Sequence, residues 1–289
     1  MTVAPARQDR TYHPPKGLCP LCPTEPGGPA TEIPRPDYHI AVFENRFPSY
    51  TAAQGRCEVV CYTPEHDSSL GAQPIDQIED LVAVWQDRFQ DLSRQPGVRY
   101  IYIFENRGEA TGVTLSHPHG QIYGDPFIPP RIETELRAFR RHRQREGGCL
   151  YCSILDGESK GGRVVAADAN WIAFVPAFAR WPYELHLAPR RHLSAITDLT
   201  RSEAHSLAKL LKDVLQRYDR LFDSPLPYVM AMHQRPPGRG GRGYHLHLEF
   251  YPPNRTADKL KYLAGSELGA GAFVVDARAE DSAARLRGT

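Results

Sequence analysis

The chain has 289 residues, which suits one large domain or two of ordinary size and is enough to bury a substantial core. Apolar residues make up 41% of it, charged residues 24%, and the formal net charge is +1, so it lacks the basic excess of a nucleic-acid scaffold. No apolar run approaches the roughly 18 residues of a membrane span, and the N-terminus has no apolar segment of a secretory signal. We therefore expect a cytoplasmic protein that binds neither nucleic acid nor membrane.

Seven short segments have the composition of β-strands, because they are rich in β-branched and aromatic residues and are bounded by proline, glycine or asparagine. In chain order they are 39–48, 57–63, 98–104, 171–178, 183–188, 227–232 and 244–251. Two longer segments, 75–92 and 201–222, carry apolar residues at intervals of three and four, which is typical of amphipathic helices. Thr200 and Glu203 form a capping-box pattern that predicts the start of the second helix.

The order of motifs in the first half of the chain is repeated in the second half. Each half has a C-x-x-C pair, a lone histidine after strand-like segments, a helix, and a His-x-His motif. The interval from the pair to the lone histidine is 44 residues in the first half (Cys22 to His66) and 40 in the second (Cys152 to His192). Because chance rarely reproduces order and spacing together, we predict an internal duplication.

The duplication divides the chain into two units, 1–139 and 140–289. The arginine-rich segment 140–148 has the composition of a linker between them, and the glycine- and arginine-rich segment 236–243 has that of a flexible loop. We interpret both basic segments as solvated rather than ligand-binding. Because hairpins and short loops favour antiparallel pairing, the predicted fold class is α+β, with antiparallel sheets and flanking helices in two repeats.

Cysteines and histidines of the repeated motifs form two sets with the composition of zinc sites, since zinc in proteins prefers four tetrahedral thiolate and imidazole ligands. The sets are Cys19, Cys22, His66 and His117 in the first repeat, and Cys149, Cys152, His192 and His245 in the second. Such closed sites have no open position for water, so we expect two structural zinc ions. The alternative is buried cysteines and core histidines. Cys57 and Cys61 are four apart on a predicted strand and are interpreted as core residues.

The segment His117-Pro-His119-Gly-Gln121 carries the predicted chemistry. Residues two apart on a strand point to the same face, so His117 and His119 are expected to share a strand face, with Gln121 alongside. A neutral imidazole with one nitrogen fixed by a hydrogen bond attacks phosphorus and divides a transfer into two easier steps. The Gln121 amide donates to a phosphoryl oxygen. In the second repeat Glu249 would repel phosphate, so His247 is expected to be structural.

Five segments of the chain form a specific combination. They are YTPEH (62–66), FENRGEATG (104–112), HPHGQIYGDPFIPP (117–130), RWPYE (180–184) and FYPP (250–253). Together they resemble the galactose-1-phosphate uridylyltransferase family of the histidine-triad superfamily, over most of the chain as far as Leu268. The resemblance implies two histidine-triad-like repeats, of which the first carries the catalytic histidine and the second is structural and completes the substrate site.

The resemblance also implies a ping-pong exchange of a uridylyl group in galactose metabolism. The group moves from UDP-glucose to the active-site histidine, here His119, with release of glucose 1-phosphate. Galactose 1-phosphate then takes up the group and leaves as UDP-galactose. Gln121 matches the glutamine that steadies the transferred phosphoryl group, and members of the family are homodimers.

Six further positions match family positions that contact substrate. The resemblance places Asn106, Gly112 and Thr114 along the nucleotide phosphates, Asn45 near the nucleoside, and Lys261 with Glu267 in a C-terminal segment that meets the hexose phosphate across the dimer interface. The base and the acceptor depend on loops that the motifs do not fix. An ADP-glucose or dinucleotide phosphorylase of the same superfamily is therefore the first alternative, and a non-catalytic, zinc-organised nucleotide-binding module is the second.

The sequence departs from the family pattern at three places. Some bacterial relatives build a second metal site from histidines and a glutamate; Glu135 and His233 match two of those ligands, but Glu249 replaces a histidine. We therefore expect the second zinc at the C-x-x-C set of the second repeat. The family's arginine-rich N-terminal motif has no match, so either the start is misassigned or another group contacts the phosphates. The segment GAGAFVV (269–275) differs from the usual C-terminal pattern.

Overall fold

The computed structural model describes residues 12–50, 54–238 and 243–289. The strands in this part of the chain are β1 (Ala41–Glu44), β2 (Arg56–Cys61), β3 (Tyr100–Arg107), β4 (His119–Asp125), β5 (Val164–Ala167), β6 (Trp171–Phe174), β7 (Leu185–Pro189), β8 (Tyr228–His233) and β9 (His247–Tyr251). The helices are α1 (Ile75–Ser93), α2 (Pro130–Glu146), α3 (Leu150–Glu158), α4 (Arg201–Arg220), α5 (Gly265–Ala270) and α6 (Ala279–Arg287). The predicted α+β class is confirmed.

All of these strands pair antiparallel in a single sheet with the order β1-β2-β4-β3-β8-β9-β7-β6-β5. The halves meet where β3 pairs with β8, with Phe104 opposite Ala231. Read outward from this seam, β3-β4-β2-β1 on one side corresponds to β8-β9-β7-β6 on the other. This equivalence supports the predicted duplication, although the repeats share one continuous sheet.

The two long helices pack against each other on one face of the sheet. Their apolar stripes supply the centre of the core, including the buried Trp85 and Phe89 of α1 and Leu207 and Leu211 of α4. Each such side chain contributes about 1.5–3 kcal/mol when it is fully buried. The predicted capping box opens α4, because the Thr200 hydroxyl accepts from the backbone N–H of the third helical residue.

The segment predicted to be a linker is mostly helical. Residues 140–146 form the C-terminal half of α2, which ends where Gly147 adopts a φ of 77°. Arginine and glutamine are good helix formers, and Ile132 and Phe139 anchor the helix on the core, so the polar composition gave a misleading loop prediction. The proposed boundary between residues 139 and 140 thus falls within a helix. Of the loop predicted at 236–243, residues 239–242 lie outside the described part.

Two details differ from the predicted strand pattern. The strand of the predicted nucleophile begins at His119, so His117 does not share a strand face with it but lies just before the strand, separated by Pro118, whose ring nitrogen has no hydrogen to donate to a ladder. The second half has an additional edge strand, β5, that was too short to recognise. Among the described residues, no helix combines the length and apolar character needed to cross a membrane.

Candidate active site

His119 is the first residue of β4 and lies half-buried in the wall of a cavity. The Nδ1 atom of its ring is 2.8 Å from the carbonyl oxygen of His117. Because a carbonyl oxygen can only accept, Nδ1 carries the hydrogen, and the lone pair of the neutral ring is on Nε2. The backbone therefore orients the ring and selects the tautomer that makes Nε2 the nucleophilic atom.

The cavity beside His119 has a volume of about 520 Å³, a size suited to a small-molecule ligand. Its wall includes six of the residues predicted from the sequence, namely Asn45, Asn106, Gly112, Thr114, His119 and Gln121. Aromatic surface is added by Phe43, Phe47, Phe104 and Tyr123. A few converging polar groups among aromatic side chains suit a ligand that has both a flat ring and a phosphate.

Gln121 lines the same cavity. Its Oε1 atom accepts hydrogen bonds from Nδ2 of Asn45 (3.2 Å) and from the hydroxyl of Tyr123 (3.1 Å). Since two donors hold the oxygen, the amide hydrogens are the end that can meet a phosphoryl oxygen. Tyr123 was missed in the sequence analysis, although it lies two residues after Gln121 and therefore on the same face of β4.

The segment between β3 and β4 closes one side of the cavity. Gly108 and Gly112 have φ values of 82° and 79°, in the left-handed region that favours glycine. The turn between them brings Thr114 to the cavity wall, where its carbonyl oxygen accepts from the backbone N–H of His13 at 2.8 Å. With no side chain at Gly112, a ligand can approach the backbone closely, as phosphate-contacting loops require.

The two predicted substrate residues of the C-terminal segment are not among the described residues that line this cavity. Instead, Nζ of Lys261 pairs with Oε1 of Glu267 at 3.2 Å and donates to the carbonyl oxygen of Val274, and both charged side chains are buried. Within one chain, the pair therefore holds the C-terminal segment together. Its contact with substrate in a second subunit stays a prediction.

The first predicted metal set comes together as four buried residues. Their ligand atoms all lie within 4.8 Å of one another: Cys19, Cys22, His66 and His117. Nε2 of His117 donates to the Thr63 carbonyl oxygen at 2.9 Å, so its lone pair is on Nδ1, which faces the Cys22 sulfur at 3.6 Å. Burial raises the pKa of the Cys22 thiol to about 12, a cost that a bound zinc ion offsets by stabilising thiolates. The donor set and the tautomer both fit zinc.

The second predicted set repeats this arrangement. The ligand atoms of Cys149, Cys152, His192 and His245 again lie within 4.8 Å of one another. Nε2 of His245 donates to the Pro189 carbonyl oxygen at 2.9 Å, and Nδ1 of the same ring is 3.5 Å from the Cys152 sulfur. The histidine tautomer and the donor set therefore fit zinc here as well.

A third group of potential ligands lies beside the second set and includes the positions at which some bacterial relatives build a metal site. Glu135, His233, His247 and Glu249 bring their ligand atoms within 4.8 Å of one another. The Glu249 carboxylate is already paired with the Arg131 guanidinium at 2.5 Å and with Nε2 of His247 at 3.3 Å. The cationic Arg131 competes with a metal ion for this carboxylate, which favours a charge network over a third metal site.

The second repeat reproduces the hydrogen bond that orients His119. Nδ1 of His247 donates to the His245 carbonyl oxygen at 2.8 Å, as His119 does in the first repeat. However, His247 is buried and its Nε2 faces Glu249 rather than the cavity. The structural or supporting role of His247 stays a prediction.

Replacing Glu105 with glutamine is expected to flatten the pH dependence of the free energy of unfolding. Burial raises the pKa of the Glu105 carboxyl to about 7, so this group stabilises the fold fully below about pH 4.5, and that stabilisation is lost as the pH rises through 7. The shift corresponds to about 3 kcal/mol. Denaturant unfolding between about pH 5 and 8 checks the prediction; equal pH slopes in the parent and Glu105→Gln would contradict it.

Comparison with known proteins places this chain in a family. The model of the galactose-1-phosphate uridyl transferase N-terminal domain matches residues 49–129, and that of its C-terminal domain matches residues 135–288. The galactose-1-phosphate uridylyltransferase of Thermotoga maritima is 40% identical over 306 aligned positions, and the alignment covers 99% of this chain and 94% of that protein.

Two solved structures share the fold. One, described as a uridylyltransferase, has a TM-score of 0.91 and 36% sequence identity, and the match covers 100% of this chain and 94% of that one. The other, an ADP-glucose phosphorylase from Arabidopsis thaliana with bound ADP-glucose, has a TM-score of 0.83 with 24% identity over 99% of this chain and 94% of that one. The protein is thus an enzyme of the nucleotidyltransferase class. It belongs to the galactose-1-phosphate uridylyltransferase family.

Proposed function

We propose that the protein transfers a uridylyl group from UDP-glucose to galactose 1-phosphate through a covalent intermediate on His119. The observation that carries the proposal is the 2.8 Å hydrogen bond from Nδ1 of His119 to the His117 carbonyl oxygen, which directs the nucleophilic lone pair to Nε2 in the cavity wall. The names of the relatives, which match over nearly the whole chain, support the same reaction.

In the first half-reaction, Nε2 of His119 attacks the α-phosphorus of UDP-glucose. The new N–P bond forms as the bond from the α-phosphorus to the bridging oxygen breaks, and glucose 1-phosphate leaves with that oxygen and its electron pair. Positive charge develops on the imidazole, and the hydrogen bond to the His117 carbonyl stabilises it. The Gln121 amide donates to a non-bridging phosphoryl oxygen, which stabilises the charge that develops there.

The second half-reaction reverses these steps with a different acceptor. A phosphate oxygen of galactose 1-phosphate attacks the same phosphorus, the N–P bond breaks, and the ring nitrogen recovers its lone pair as UDP-galactose forms. His119 therefore needs no net proton transfer in either direction, and a fixed tautomer serves both halves. Asn106, Gly112 and Thr114 line the same cavity, and we assign them to the nucleotide phosphates, with Asn45 near the nucleoside.

Both sets of two cysteines and two histidines are assigned to structural zinc. The ions supply no reaction step, since four protein ligands complete a tetrahedral site. The first set contains His117, whose carbonyl oxygen orients His119, so the metal site and the nucleophile share one residue. On the predicted division of the chain, residues 1–139 carry the catalytic histidine and 140–289 complete the substrate site.

We further propose a cytoplasmic homodimer in which the C-terminal segment of one subunit reaches the site of the other. The exposed apolar side chains near Lys261 and Glu267 support this assembly, since Tyr262, Leu268 and Val274 are 76%, 73% and 65% exposed in a single chain. A second subunit that covers them brings this segment, with Lys261 and Glu267, to the hexose phosphate.

Incubation of the purified protein with UDP-glucose alone, followed by intact-mass measurement, tests the function. The expected result is one uridylyl adduct per chain, with release of glucose 1-phosphate. Addition of galactose 1-phosphate should then remove the adduct and form UDP-galactose. A parallel incubation with ADP-glucose tests the phosphorylase alternative, which rests on shared fold alone. An adenylyl adduct in place of the uridylyl adduct would overturn the proposal, and no adduct with either donor would favour a non-catalytic nucleotide-binding module.

A further inference from the structure

Gly120, between the nucleophile and the phosphoryl-contacting glutamine, faces away from the cavity. Alternate residues of β4 point to opposite sides of the sheet, so His119 and Gln121 line the cavity while Gly120 faces the core. A Cβ atom built on Gly120 would overlap the hydroxyl of Tyr62 and would lie 3.1 Å from Cζ of that ring. The Tyr62 hydroxyl thus fills the space that a side chain at position 120 would occupy.

Tyr62 is fixed by its backbone and by the core. It directly follows β2, its N–H donates to the Pro118 carbonyl oxygen at 3.3 Å, and its own carbonyl oxygen accepts from Nε2 of Gln77 at 2.7 Å. The side chain is 1% exposed, so the ring has no room to rotate away. The tyrosine is therefore a rigid support beneath the strand that begins at His119.

The hydroxyl end of Tyr62 meets a buried polar group. The Glu105 carboxyl is 4% exposed, accepts from the Tyr228 hydroxyl at 3.2 Å, and interacts with the Tyr62 hydroxyl as well. The next residue along β3, Asn106, lines the catalytic cavity. A polar hydroxyl is thus favoured beneath Gly120, because the Glu105 carboxyl lies beside it in the core.

We infer that Tyr62 is a positioning residue for His119 and Gln121, acting through direct contact with the backbone of Gly120. The contact fixes the position of β4 relative to the cavity, and it is possible because residue 120 has no side chain. Because reacting atoms must be held close to the attack geometry, a displacement of the strand by about 1 Å is expected to slow the transfer far more than it weakens binding. The inference rests on the proposed function.

A double-mutant cycle between the two positions tests the inference. Gly120→Ala is expected to slow adduct formation about 100-fold with little change in the half-saturating concentration of UDP-glucose. Tyr62→Phe alone is expected to slow it about fivefold, the effect of one hydroxyl contact. Removal of the hydroxyl ends the overlap but leaves the new methyl group 3.1 Å from Cζ of the ring and 3.1 Å from the Phe104 carbonyl oxygen. The double variant is therefore expected to recover part of the rate and to react about tenfold faster than Gly120→Ala.

Tyr228→Phe is the matched control, because it removes the other hydroxyl that contacts Glu105. It is expected not to rescue Gly120→Ala. Failure of Tyr62→Phe to rescue, or equal rescue by Tyr228→Phe, would overturn the inference. The ¹⁵N signals of the His119 ring, measured by NMR without substrate, give a second readout: Gly120→Ala should shift the Nδ1 signal and Tyr62→Phe should restore it. That result decides the positioning role even if the parent forms no adduct and the proposed function fails.

Discussion

His119→Ala is expected to abolish the covalent adduct and to lower the rate of uridylyl transfer about a millionfold, the scale of loss seen when a covalent nucleophile is removed. Alanine has no atom that can form the bond to phosphorus, and His119 is the one histidine among the described residues of the cavity wall. The equivalent residue of the second repeat, His247, is buried against Glu249. Intact-mass measurement of the adduct and a coupled assay of UDP-galactose formation check this prediction.

The control for this variant is His205→Ala, because His205 is exposed on α4 and pairs with Glu79 of α1, away from the cavity. It is expected to keep full adduct formation. The zinc content and thermal unfolding of His119→Ala should equal those of the parent, since His119 is not a member of either ligand set. An adduct that persists in His119→Ala would assign the nucleophile to another residue.

The grouping of cysteines and histidines into two sets was predictable from the sequence because the signal is repeated. A C-x-x-C pair alone is a weak indication, but the same pair, lone histidine and His-x-His motif in both halves point to a shared role as metal ligands. The structure brings each set within 4.8 Å. Spacing also pointed to the proposed nucleophile, because His119 follows a predicted ligand by two residues. Neither prediction needed the pairing of strands.

Other features of the site depend on contacts between distant segments. Tyr62 follows an apolar strand and is typical of a core tyrosine, so the positioning role inferred for it rests only on its place beneath Gly120. The substrate roles of Asn45 and Thr114 came from family resemblance, because isolated asparagine and threonine residues in loops carry no pattern. Lys261 pairs with Glu267 in one chain, and the predicted contact with substrate needs a second subunit that the sequence does not describe.

Helix α2 was predicted wrongly because the composition of its C-terminal half was given too much weight. The run of arginines at 140–145 has no apolar stripe of its own and therefore indicated a linker. In the folded chain, Phe139 packs with Tyr151 and Tyr244, and this contact continues the helix across the proposed boundary between the repeats. Tertiary packing of Phe139 thus stabilises a helix that the polar residues after it did not indicate.

Removal of a ligand from the first metal set is expected to slow adduct formation more than removal of the equivalent ligand from the second set. Structural zinc sites contribute about 10–16 kcal/mol of binding free energy, comparable to the whole stability of a domain, about 5–15 kcal/mol. Cys22→Ala and Cys152→Ala should each lose one zinc per chain. Cys57→Ala, a buried cysteine in neither set, should lose none.

The two ligand variants should differ in chemistry because only the first set is joined to the nucleophile. The His117 carbonyl oxygen orients His119, so loss of zinc next to His117 releases the ring from its attack geometry, and Cys22→Ala should form adduct at least about 100-fold more slowly. In the second repeat the corresponding carbonyl orients His247, which we expect to have a structural or supporting role. Folded Cys152→Ala should therefore stay within about tenfold of the parent rate. Zinc analysis, thermal unfolding and adduct kinetics on the same preparations separate the effects, and equal losses of rate in both variants would show that the metal sites act only through global stability.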